Sequence, residues 1–186
     1  DADAALTRME RTNLELIEAR RGAQHQAETD SLTGLRSRLA FIHDIEAKLD
    51  GGQCGLLAVI DLNRFKEVND TYGHDVGDSI LLETAKRLIA SVRESDTVSR
   101  WAGDEFSVLL PKIGQKENIN QLLARIIENF ATPQQAQEFT IPVSISIGIS
   151  LAPKMGTDFD ELMRFADKAM YEAKKNDEIH YKYYSE

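Results

Sequence analysis

Two acidic strand ends carry the chemistry this chain could do. In Arg100-Trp101-Ala102-Gly103-Asp104-Glu105-Phe106 two adjacent carboxylates sit on a small-residue turn. Thr97–Trp101 before it and Phe106–Leu110 after it are rich in β-branched and aromatic residues, so the run reads as a hairpin with acids at its tip. Acids on a tight turn are ordinarily solvated turn residues. A second acidic strand end, Val59-Ile60-Asp61-Leu62-Asn63, followed by Arg64-Phe65-Lys66, lifts this case above that baseline. Two strand-terminal acids and a lysine form a plausible site for a divalent cation and a phosphate. Phe65 and Lys66 also open a helix, whose unsatisfied amides and nearby ammonium suit phosphate oxygens.

The composition limits which partners such a site can serve. The net charge of -9 argues against nucleic acid as a general partner, because backbone binding needs clustered Lys and Arg. An acidic chain that handles polyphosphate must supply positive charge locally. A length of 186 residues fits one domain with a terminal extension, and 42% apolar with 28% charged residues is the balance of a soluble globular protein. No apolar run reaches the roughly 18 residues needed to cross a bilayer, so no direct membrane contact is expected from this segment. The start, Asp1-Ala2-Asp3-Ala4, has neither the basic nor the apolar region of a signal peptide and lacks Met, so the expectation is a piece of a longer protein. A lone Cys54 excludes an internal disulfide, reads as a small buried residue entering a strand, and fits a cytoplasmic location.

Hydrophobic periodicity supplies the elements that must position the acids. Residues 5–29 are polar and helix-prone, with Leu6, Met9, Asn13, Leu16, Arg20, Ala23 and Ala27 at a and d of a heptad. With Asn13 and Arg20 breaking the seam, residues 1–29 read as a coiled-coil linker or a solvated single helix, and 30–186 as the globular domain. Asp30–Leu35 breaks the helix and offers an N-cap; a helix over Leu39–Leu49 ends at Gly51-Gly52. Gly55–Leu62 is a strand buried on both faces, followed by helices over Phe65–Tyr72 and Asp75–Arg93. After the hairpin come a helix over Glu117–Phe130, a single alternating strand over Phe139–Ala152, a helix over Asp158–Lys175 and an edge strand over Ile179–Tyr184. That order predicts an α/β fold, a mixed central sheet flanked by helices.

Five blocks in order resemble the GGDEF domain of diguanylate cyclases, in a variant whose signature reads AGDEF. They are Asp30-Ser31-Leu32-Thr33-Gly34-Leu35-Arg36-Ser37-Arg38, Asp61 to Asp78, Arg93-Glu94-Ser95-Asp96, Ala102 to Phe106, and Ala166 to Lys175. The resemblance implies a sheet related to polymerase palms and class III nucleotide cyclases. It implies condensation of two GTP molecules into cyclic di-GMP with release of two pyrophosphates. As metal ligands it implies Asp61, the Leu62 carbonyl and Asp104, with Glu105 as a further ligand or an outer-shell acid, around Mg²⁺ or Mn²⁺. Asp104, Glu105 and Lys66 become the catalytic set, and Asp104 also occupies the place of the family's proposed general base. Substrate contacts fall to Phe65, Lys66, Asn69, Asp78, Gly103 and Lys174. Asn69 and Asp78 would read guanine, since Asn can donate to O6 and Asp can accept from N1–H and the exocyclic amine. Arg93 and Asp96, with Arg100 on the same surface, match an inhibitory site for product. His74 reads as structural.

The same resemblance implies a homodimer, because each domain holds one GTP and the product needs two head to tail, and an upstream sensory domain. A catalytically silent module that binds GTP or cyclic di-GMP is the other reading. Three departures bear on that choice. Ala102 replaces a glycine whose backbone could require a left-handed conformation; Ser37 replaces an asparagine; and Asp177-Glu178-Ile179 removes an arginine expected to hold phosphate, which implies a raised KM for GTP.

Overall fold

Strand β1 (Gly55–Leu62) is buried at all eight positions, which explains its unbroken apolar run. Its side chains alternate between two cores. Leu56, Ala58, Ile60 and Leu62 face one cluster, and Leu57 and Val59 face the other. Asp61 falls in phase with the second set, so the sheet's own periodicity carries a carboxylate to the edge of an apolar layer. The computed structural model describes residues 2–49, 55–112, 116–176 and 180–185. Gly51-Gly52, Cys54 and Asp177-Glu178-Ile179 lie outside them.

The sheet around β1 has the order β2-β3-β1-β6-β7, with β2 (Thr97–Ala102), β3 (Glu105–Pro111), β6 (Ile145–Ala152) and β7 (Tyr181–Tyr183). Every pairing is antiparallel except β6 with β7. Helices α3 (Phe65–Tyr72), α4 (His74–Ser91) and α5 (Lys116–Ala131) lie with the larger core; α2 (Arg38–Lys48) and α6 (Phe159–Lys174) cover the other face. This is the mixed, mostly antiparallel α/β architecture expected.

One expected strand is two. Phe139–Ile141 (β5) pairs with Gln134–Ala136 (β4) in a separate hairpin, and β6 begins only at Ile145. Pro142 has no amide to give a ladder, so the chain leaves one pairing there before it joins another. β4 itself escaped the sequence reading because it is polar: Gln134 is fully buried and its amide donates to Thr84 Oγ1 at 3.3 Å. Along β6 the large residues face the α3–α5 core while Ser146, Gly148 and Ser150 take the other side. A methyl on Gly148 would strike the Ala166 carbonyl and the Met170 amide. That close approach brings the end of α6 down to Asp61.

The 27-residue helix α1 (Ala2–Glu28) is exposed along nearly its whole length, including Leu6, Met9, Leu14, Leu16 and Ile17. Its end is tied to the domain. Ser37, not the Asp30 segment, is the N-cap of α2, accepting from the Ala40 amide at 3.2 Å, and its hydroxyl donates to the Ala27 carbonyl at 2.6 Å. Arg36 joins Asp44 at 2.9 Å and Glu28 at 3.4 Å. No helix among the described residues is long and apolar enough to cross a membrane.

Candidate functional site

The acidic hairpin is built around one extra residue. Arg100 faces Phe106 across the β2–β3 ladder and Ala102 faces Glu105, so Trp101 is a bulge. The bulge sends the indole toward α2 and α6, where it lies 5.7 Å from the Phe159 ring, with the Arg38 guanidinium 4.6 Å above it. The two-residue tip is Gly103-Asp104. Gly103 carries the left-handed backbone, φ 54, whereas Ala102 ends the strand without it. The alanine in the signature therefore adds no left-handed strain.

The tip is clamped on both sides. The Leu62 amide donates to the Asp104 carbonyl at 3.3 Å, stitching the turn to β1. Arg100 donates from Nε to the Gly103 carbonyl at 2.9 Å, and its Nη1 lies 3.3 Å from Asp30 Oδ1. Asp30 is fixed in turn by the Thr33 amide and hydroxyl at 2.8 and 2.7 Å. Arg100, expected on the product-binding surface, is thus committed to the turn. Of the other two residues expected there, Asp96 accepts from the Arg93 amide at 2.8 Å and Arg93 is exposed.

Asp61 is directly opposite Glu105 in the β1–β3 register. It is 6% exposed; Lys174 Nζ lies 2.6 Å from its Oδ2, and its buried Oδ1 has no partner among the described residues. An orphaned, buried carboxylate oxygen is expensive, and most such atoms find a donor. Burial pushes the Asp61 carboxyl up to about 6; the Lys174 ammonium opposes that shift and the Asp104 charge adds to it. Glu105 is also raised, by burial and then by the charges of Asp167 and Asp104, and burial raises Asp167 on α6. Asp61 and Glu105, both desolvated, share the Lys174 ammonium, an arrangement that favours a cation.

The donor set fits a hard divalent ion. Asp61, Asp104 and the Leu62 carbonyl offer oxygen ligands beside the unmet Oδ1. Among the described residues no three His, Cys, Asp or Glu side chains converge to cage a metal unaided. Glu105, expected as a further ligand or an outer-shell acid, lies across the β1–β3 ladder from Asp61. One or two carboxylates completed by substrate oxygens is the way Mg²⁺ is usually held.

The expected substrate contacts are distributed around this pair. Phe65 is half-buried against the core and Lys66 is exposed at the start of α3. Asn69 lies against Gly77 of α4, where an added methyl would collide with its Oδ1; exposed Asp78 is the next residue. Lys174 lies on Asp61, at one side of a groove of about 710 Å³. Sequence reasoning missed three contributors. Asp167 lies in a block singled out only for its resemblance. Ser144 and Ser146 hold both ends of the Asn63 amide, at 3.0 and 2.9 Å, across more than eighty residues of chain that no local pattern spans.

The raised Asp61 carboxyl has a definite consequence for stability. Its folded-state proton affinity exceeds that of unfolded aspartate, so the folded chain binds more protons between the usual aspartate range and about 6. Stability is lost as pH rises through that window. Asp61→Asn is expected to raise the Tm of the metal-free protein by about 5 °C at pH 7.5, the gain shrinking as pH falls toward 4. Calorimetry across that range checks it; a gain independent of pH would contradict it.

Comparison with known proteins bears on this geometry. The model of the family described as "Diguanylate cyclase, GGDEF domain" matches residues 27–179. The chain is 40% identical over 172 residues to the signaling protein YkoW of Bacillus subtilis, covering 90% of this chain and 22% of YkoW. It is 35% identical over 181 residues to the diguanylate cyclase TpbB of Pseudomonas aeruginosa, covering 94% of this chain and 41% of TpbB. It thus spans well under half the length of either. The solved GGDEF domain of TpbB superposes with a TM-score of 0.81 at 33% identity, covering 84% of this chain and 94% of that one. With the family model matched from the end of α1 through the final helix, onto a sheet of the same fold, this chain belongs to the GGDEF domain family.

Proposed function

We propose that the chain is a diguanylate cyclase domain that joins two GTP molecules into cyclic di-GMP and releases two pyrophosphates, using Mg²⁺ or Mn²⁺. The observation that carries this is the buried Asp61 carboxylate, with one oxygen unmet, facing the Gly103-Asp104 turn at the start of α3. A divalent ion bound there would acidify the attacking 3′-hydroxyl and neutralise charge developing on the α-phosphate. Asp61 and Asp104 with the Leu62 carbonyl would hold it, and Asp104 stands where a proton acceptor would serve. Lys66 and the first amides of α3 take the outer phosphates. Lys174, drawn onto Asp61 in this structure, is positioned to exchange that contact for phosphate.

Asn69 and Asp78 read guanine across Gly77. The packing makes that assignment testable without touching either residue. In Gly77→Ala the new methyl displaces the Asn69 carboxamide and presses on the Phe65 ring. Losing the Asn69 contact should raise KM for GTP about 10-fold, with a smaller loss in kcat. Steady-state kinetics showing KM unchanged in the folded variant would remove Asn69 from the guanine site.

One domain holds one GTP, so catalysis requires two subunits with their sites facing. The exposed α1, with its apolar side chains unpartnered along the heptad, pairs with its copy and sets whether the sites meet. Arg93 and Asp96 form the product-inhibition site without Arg100. Incubating the chain with Mg²⁺ and GTP and separating the nucleotides tests the reaction. Cyclic di-GMP is the expected product; tight GTP binding with no turnover would leave the silent regulatory module instead. Deleting residues 1–29 should depress activity far more at low protein concentration than at high, and equal loss at both would count against the α1 dimer.

A further inference from the structure

The groove beside Lys174 runs along the side of α3 turned away from Asn69, toward Thr71, Phe130 and Pro142, and of the substrate contacts named above only Lys174 lines it. Among the described residues, the basic side chains Arg64, Lys174 and His180 and the acid Glu67 line it. Lys174 is occupied by Asp61 at 2.6 Å. Among the described residues, the side chains of Arg64 and His180 make no hydrogen bond or ion pair.

Both are held on fixed backbone. Arg64 precedes α3 with a left-handed φ of 57, a conformation that costs a non-glycine residue about 1 kcal/mol or more. It is kept there by the Glu67 and Val68 amides, which donate to its carbonyl at 3.0 and 3.3 Å, and by the serine-held Asn63 beside it. His180 is pinned through its carbonyl, which accepts from the Ile147 amide at 2.8 Å. Backbone outliers of this kind cluster at ligand sites, and here the outlier carries a cationic side chain left free to bind.

The geometry points to Arg64 and His180 as an anion subsite that takes the terminal phosphate of a nucleoside triphosphate, and the pyrophosphate after it leaves. This rests on the cyclase reading for the rest of the nucleotide, but the subsite itself recognises polyphosphate. Arg64 supplies from the start of α3 the positive charge that Lys174, shared with Asp61, cannot give alone, and His180 adds a hydrogen-bonding imidazole from the approach to β7. Glu67 works against the subsite.

Inorganic tripolyphosphate, titrated calorimetrically into the full chain, is the probe. Arg64→Asn keeps a residue that tolerates the left-handed backbone. Arg64→Asn and His180→Gln should each weaken tripolyphosphate binding about 5-fold, and the pair about 20-fold, in line with exposed charge-assisted contacts. Glu67→Gln should tighten it about 2-fold. With GTP, the paired variant should show the loss in KM and keep kcat within about 2-fold. A paired variant with the wild-type melting curve and wild-type tripolyphosphate affinity overturns the subsite, whatever the turnover. Weakened tripolyphosphate binding together with a wild-type chain that makes no cyclic di-GMP would leave the subsite standing and remove the cyclase reading.

Discussion

One buried carboxylate with too few partners governs this molecule. Asp61 continues the inward phase of an apolar strand, so the pleat that builds the core delivers a charge to its rim. Its single ammonium, Lys174, arrives from the far end of the chain because Gly148 lets α6 settle against β6. The Coulombic gain does not outweigh desolvation, and the carboxyl stays up at about 6. A structure selected for stability alone would fill such a position with another Val or Leu. A cation bound there would relieve the tension, which is why the position is proposed as a binding site.

Around that point the protein invests in rigidity. The bulge at Trp101, the Arg100 clamp on the Gly103 carbonyl and the Leu62 amide on Asp104 fix the second acid without a metal. The same Arg100 reaches Asp30, which follows the end of α1. The guanidinium that clamps the Asp104 turn therefore also holds a residue just beyond the end of α1. The family assignment fixes the fold, and the residue contacts show that the alanine in the signature adds no left-handed strain to the turn.

Much of this was legible before any coordinates. The buried β1, the acidic hairpin and the helices followed from periodicity and composition, because each is a local pattern of apolar residues and turn formers. The break at Pro142 was legible too, in the missing amide, but the alternation through Val143 and Ile145 outweighed it. What the sequence could not show were the long-range pairings. Gln134 reads as loop until Thr84 is opposite it, and Arg100 reads as a free surface cation until Asp30 is found beside it. Lys174 reads as a phosphate ligand and proves to rest on Asp61.

The account stands or falls on the protonation of Asp61. Carboxyl-carbon NMR of the selectively labelled chain, titrated with and without Mg²⁺, measures it directly. The expected result is a transition near 6 without metal that moves down into or below the ordinary aspartate range when Mg²⁺ and nucleotide are added. A carboxyl that titrates in the ordinary range and ignores Mg²⁺ would contradict it.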